Sequence, residues 1–233
     1  MKSRGLTASR MGGLAVALGA LVLPLLLPGA YHRHLLVLAG LFVLMALGFD
    51  LVLGYLGELS LGHAAFFGVG AYTTALLTRN FETPFPLDLL LAGLVTGVVG
   101  VLIGAPSLRL RGPYFAIVTF GFAEILRLVA LNWISVTRGP MGLPDIPHPR
   151  LGGFVINTEL RYYYLVLVLV GLAVLVTRRL LDSTVGHAFV AIRDNDTAAR
   201  VMGINLHAYK LFAFVTSAFI TGISGALYGI YLS

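Results

Sequence analysis

The sequence predicts an all-α polytopic membrane protein, a bundle of about seven apolar segments, and two observations carry that prediction. Hydrophobic residues make up 58% of the 233-residue chain and charged residues only 11%, whereas a soluble domain carries about a quarter charged residues. Apolar runs of membrane-crossing length recur between short polar connectors, many of them basic. The absence of cysteine excludes disulfides, thiol catalysis and thiolate metal sites together. A formal charge of +6 could suit nucleic acid, but the basic residues are dispersed between apolar spans. Membrane topology explains them better, and no nucleic-acid partner is expected.

In chain order, Lys2, Arg4 and Arg10 precede an uncharged run from Met11 to Tyr31. The outline is that of a signal peptide, yet many spans follow, so it reads as a retained first helix. A second span runs from about residue 35 to 53 and has Asp50 near its end, where a solvated or capping role is expected. The third stretch, about 60 to 78, is rich in Gly and Ala and holds His63; it could span fully or enter as a short, broken helix. A loop with Arg79, Glu82, Pro84 and Pro86 leads to a fourth span, about 87 to 105, closed by Pro106, Arg109 and Arg111. The fifth, about 113 to 133, carries Glu124 and Arg127 three residues apart, close enough to pair on one helix face. The pair reads first as internal and structural, and second as lining a pathway or a gate, because charge inside a membrane is costly.

The 134–161 segment holds six Gly or Pro residues between Gly139 and Pro149 and reads as an external loop. A sixth span, about 162 to 176, ends at Arg178 and Arg179, and the last begins near Tyr209. It is still apolar at Ser233, from which a C-terminally truncated sequence is expected. A cytoplasmic N-terminus places Lys2/Arg4/Arg10, Arg109/Arg111 and the whole of 178–210 on the cytoplasmic side, as the positive-inside rule requires. Arg138, Arg150 and Arg161 then fall outside, a weaker fit.

Between the last two spans lies a polar insert, 182–203. Asp182, Ser183 or Thr184 can cap a short helix whose Val185, Phe189 and Ile192 share one face. Arg193-Asp194-Asn195 breaks that run, Asp196 or Thr197 can cap a second short helix, and Gly203 suits its left-handed end. Small residues every four positions, Ala92/Thr96/Gly100/Gly104 and Ser217/Thr221/Gly225/Gly229, predict two close helix contacts.

The chemistry available is narrow. The only lysines are Lys2 and Lys210, neither within a phosphate-binding G-x-x-x-x-G-K-[ST] loop, so ATP hydrolysis by that route is excluded. There is no H-E-x-x-H or G-x-S-x-G, and neither a metal site nor a hydrolase is expected. In the stretch 57–72, Ser60 can cap a helix while Gly62, Gly68 and Gly70 leave room for another backbone or a solute. His63 there reads as a packed, hydrogen-bonded residue before it reads as a substrate contact.

Three blocks in order, residues 57–72, then 109–124 with 137–143, and 186–203, resemble the permease subunits of branched-chain amino-acid ABC importers, in the subtype with a long external loop. The resemblance implies one transmembrane permease domain, 1–233, of a bacterial inner-membrane importer for branched-chain or other apolar amino acids. Segment 183–203 would dock in a groove of a separate ATPase, with Gly186, Ala191, Ile192, Arg193, Asp194, Asn195, Ala198, Ala199 and Gly203 as coupling residues. Ser60, Gly62, His63, Phe66, Glu124 and Arg127 are the pathway candidates. The partners would be a second homologous permease, two ABC ATPases that hold the ATP and Mg, an extracytoplasmic substrate-binding protein and membrane lipid; this chain itself would bind no cofactor. His187 stands where the family commonly has arginine, and further membrane segments are usual after the point where this sequence stops. Permeases for urea and short amides are similar. A secondary transporter coupled through Glu124, Arg127 or Asp50 is the reading from another class, and a membrane scaffold a third.

Overall fold

The computed structural model describes residues 18–26, 29–81, 83–110, 112–143, 146–147, 149–151, 154–156 and 158–232. Residues 18–26 are helical (α1). Helix α2, Ala30–Asp50, runs without a break into a π-helical turn, Leu51–Tyr55. A non-helical stretch, 56–62, precedes α3, His63–Phe81, and α4 follows at Phe85–Ser107. Pro84 caps α4 and Pro86 sits in its first turn, where a missing N–H costs nothing. Helix α5 covers Pro113–Asn132, and the short α6 covers Ile134–Thr137. Then come α7, Glu159–Leu181; α8, Thr184–Asp194; α9, Asp196–Val201; and α10, Leu206–Tyr231.

Five of these helices are long and apolar enough to cross a bilayer: Ala30–Tyr55, Phe85–Ser107, Pro113–Asn132, Glu159–Leu181 and Leu206–Tyr231. The expected count of about seven is therefore not reached among the described residues. Residues 11–17 and 27–28 of the first expected span, with Lys2, Arg4 and Arg10 before it, lie outside them, as do Glu82 and Arg111. The third is one continuous helix of 19 residues, about 28 Å at the α-helical rise, but its Thr, Gly, Arg79 and Asn80 lower its apolarity. The 134–161 segment contains a two-stranded antiparallel hairpin, β1 (Arg150–Leu151) with β2 (Phe154–Val155), the one departure from an all-α chain among the described residues.

Helix α10 is the axis of the bundle. Of its span window 61% is buried, against 17% for α5 and 11% for α7, and it packs on α2, α3 and α4. Lipid gives helices little hydrophobic reason to associate, so close backbone approach must supply the contact. Both small-residue ridges serve that end, but on different faces of α10. The α4 ridge meets Phe214, Ala218 and Gly222, whereas the α10 ridge turns to α3, and a Cβ at Gly225 would collide with the Phe67 carbonyl. Two buried hydroxyls are satisfied across other faces of α10: Ser224 Oγ donates to the Leu41 carbonyl of α2 at 2.7 Å, and Tyr162 OH of α7 to that of Leu227 at 2.5 Å. In hydrocarbon each unmet polar group would cost several kcal/mol.

Two long-range contacts fix which ends lie together. His34 Nδ1 and Tyr231 OH, 2.8 Å apart, join the start of α2 to the end of α10. At the opposite end, Arg193 Nη1 donates to the Gly54 carbonyl at 2.8 Å, which sets α8 beside the π-helical turn. The alternating threading read from the sequence requires that same arrangement.

Candidate functional site

The 182–203 insert folds as two short helices at one end of the bundle. Ser183 Oγ accepts from the Val185 amide at 3.2 Å and so caps α8. Phe189 and Ile192 are buried in a cluster with Leu56, Ala199, Leu206 and Ala213, and Val185 packs at its edge. Gly186 is needed because a Cβ there would strike the Leu181 backbone at the end of α7. The cap of α9 falls one residue earlier than expected: Asn195, in extended backbone, accepts through Oδ1 from the Ala198 amide at 3.0 Å. Asp196 is thereby left free to pair elsewhere. Gly203 takes φ +84°, the left-handed end predicted for it.

Among the nine coupling candidates, Gly186, Ile192 and Ala199 are buried, Ala191 is intermediate, and Arg193, Asp194, Asn195, Ala198 and Gly203 are exposed. The segment is thus anchored by one face and open on the other. Arg193 is not wholly a free surface charge: besides its bond to Gly54, its Nε and Nη2 each lie 3.4 Å from Asp194 Oδ1. Two apolar residues overlooked in the sequence stand out at the tip, Val201 at 83% and Met202 at 82% exposure. The signal was present: both break the polar pattern immediately before Gly203.

A second cluster lies where 56–62 enters α3. Ser60, Gly62, His63 and Phe66 are all buried there. His63 Nε2 lies 2.7 Å from Ser217 Oγ of α10, and its ring meets Phe49 and Phe66 edge-on. The Leu61 amide donates to Thr119 Oγ1 of α5 at 3.1 Å. Beside this knot a hollow of about 340 Å³ opens between α2 and α3, walled by Phe42, Met45 and Phe49 and floored by Ser60 and His63. Its lining suits an aliphatic group with a few polar atoms at one end.

Glu124 and Arg127 do not join that cluster. They form the expected pair, with Arg127 Nη2 2.6 Å and Nε 2.8 Å from the two carboxylate oxygens. The expectation of an internal pair is corrected, however, since their side chains are 43% and 57% exposed. Helix α5 fully buries only Phe115, Ala116 and Thr119, near its start, while Phe122 and Leu126 further on are only partly buried. Asp50 is exposed at the junction of α2 and the π-helical turn, in keeping with an edge position.

Two charged residues central to this end of the bundle carried no role in the sequence reading. Lys210 Nζ, with its side chain 7% exposed, lies 2.5 Å from Glu58 Oε1 and 3.3 Å from Asp196 Oδ2. No periodicity links positions 58, 196 and 210, and their meeting is a product of tertiary packing.

Comparison with known proteins agrees with this architecture. A family model described as branched-chain amino acid transport system / permease component matches residues 32–233. The high-affinity branched-chain amino acid transport system permease protein LivM of Salmonella typhimurium is 38% identical over 211 residues, 81% of this chain and 50% of that protein. Its counterpart in Escherichia coli is 37% identical over the same shares. A probable branched-chain amino acid transport permease protein LivM of Methanocaldococcus jannaschii is 24% identical over 82% of this chain and 65% of its own. This chain spans about half the length of the first two relatives. No solved structure matches it. With a multi-pass helical bundle, a helical insert open on one face, and a family match that runs from residue 32 to the last, this chain belongs to the permease components of branched-chain amino acid transport systems.

Proposed function

We propose that the chain is a transmembrane permease subunit of an ATP-driven importer for branched-chain or other apolar amino acids. It performs no covalent chemistry. ATP and Mg are held by two separate ABC ATPase subunits; a second homologous permease completes the pathway and an extracytoplasmic binding protein delivers substrate. The N-terminus is cytoplasmic and the membrane is the bacterial inner membrane. The observation that carries the reading is the α8–α9 segment, anchored by Phe189 and Ile192 and open along Arg193, Asp194, Ala198, Val201, Met202 and Gly203. In the proposed importer, a chain without a phosphate-binding loop receives the energy of ATP through such a surface. Ser60, Gly62, His63 and Phe66, beside the hollow between α2 and α3, are the pathway candidates, and the apolar walls there favour leucine-like side chains over urea or short amides. The exposed Glu124–Arg127 pair faces a partner helix or the pathway, because charge left against lipid is costly.

Purification of the full-length chain with its transport system tests this: an ATPase should copurify, and uptake should require ATP. Alanine at both Arg193 and Asp194 should leave the ATPase less stimulated and lower uptake by roughly tenfold or more. Uptake by the purified chain alone, driven by a proton or sodium gradient, would overturn the reading in favour of a secondary transporter.

A further inference from the structure

Lys210, Glu58 and Asp196 come from three parts of the chain that the proposed mechanism has to connect. Glu58 lies in the non-helical 56–62 stretch, Asp196 opens the first turn of α9, and Lys210 lies in the opening turns of α10. The two arms from Lys210 differ. The contact to Glu58 is 2.5 Å with the carboxylate side chain 11% exposed; that to Asp196 is 3.3 Å with 29% exposed. A buried charge stranded without its partner is strongly unfavourable, so the short, dry arm holds. The longer and wetter one gives first when α9 moves.

A second tie runs beside it. The Arg193 stem passes directly against Gly57, which sits at φ +79°, while its guanidinium holds the Gly54 carbonyl. From Glu58 the chain runs five residues to His63, which holds Ser217 about two turns further along α10 from Lys210. The docking segment, the break before α3 and the core helix are therefore joined through one buried ammonium.

We propose that Lys210 is a positioning residue whose tie to Asp196 holds 183–203 in register with the 56–62 stretch, and through that stretch with the His63–Ser217 contact, and whose release frees the segment. Glu58 is its permanent partner and Asp196 its releasable one. When Asp196 withdraws, the Lys210–Glu58 pair survives, no charge is stranded, and the segment has two discrete arrangements. The proposal rests on the transport reading above.

The test uses the complete transporter in proteoliposomes, with uptake and ATP hydrolysis measured together. Copurification of an ATPase with the unaltered chain comes first, and its failure removes the transport reading itself. Two variants then address Lys210. Asp196→Asn leaves the inner pair intact, and Lys210→Met combined with Glu58→Gln removes both buried charges at once. Each should lower substrate taken up per ATP hydrolysed by roughly fivefold or more. The ATPase should still copurify with the double variant, and Lys210→Arg should keep most of the ratio. An unchanged ratio in both variants overturns the proposal, as does loss of ATPase binding in the double variant, which would make the trio a support for docking. If the double variant does not fold, the ratio in Asp196→Asn decides alone.

Discussion

His63 illustrates how much one residue's role depends on neighbours that its own stretch of sequence does not name. The glycines and Ser60 around it suggested either a packed histidine or a solute contact, and the structure gives it Ser217 on a helix more than 150 positions away. Ser217→Ala removes that partner and leaves a buried ring nitrogen unmet, at a cost of about 1–3 kcal/mol; thermal unfolding in detergent should register it as a lowered Tm. Ser183→Ala, which removes the α8 cap, should cost about 1 kcal/mol, with the loss confined to 183–194 and visible as faster amide hydrogen exchange there. Glu124 and Arg127 differ because their pairing was legible in the sequence: three-residue spacing alone brings them together. Their exposure was not, since it depends on what α5 leaves uncovered.

At the scale of the element, the two small-residue ridges were readable and their partners were not. Spacing by four marks one face of a helix, but which neighbour meets that face is decided by how all the helices assemble. Helix α10 takes both contacts, α4 on one side and α3 on the other. Two glycine substitutions check this. Gly225→Leu forces a side chain into the Phe67 backbone and should prevent a stable fold or cost several kcal/mol, as overpacking against unyielding backbone does. Gly68→Ala on α3 has open space around it and should be neutral or stabilising by up to ~1 kcal/mol through helix propensity. If both behave alike in a thermal melt, α3 and α10 do not approach as described. The Asn195 cap carries a similar lesson: Asp196 is an equally good cap type, and it pairs with the buried Lys210 instead.

At the scale of the whole molecule, the proposed ATPase docking rests on the open face of α8–α9 and the apolar Val201–Met202 tip. Asp at both positions should abolish ATPase copurification while far-UV circular dichroism and Tm stay unchanged, because two residues more than 80% exposed support little of the fold. In the assembled transporter, leucine, isoleucine and valine should compete for uptake with one another and urea or acetamide should not. Effective competition by urea would assign the hollow beside His63 to small amides.

By itself the sequence determined the class of molecule, the five membrane-crossing helices, the helical insert and the lack of a phosphate loop. These follow from composition, length and spacing, which act along the chain and leave their mark within a window of about twenty residues. The tertiary structure alone decided that α10 is the axis, that Glu124 and Arg127 face outward, and that Lys210 gathers Glu58 and Asp196 from positions 152 and 14 residues away. Such meetings arise when separate helices pack, and a buried ammonium donates to carboxylates wherever the backbone brings them, so no local pattern in the sequence could announce them.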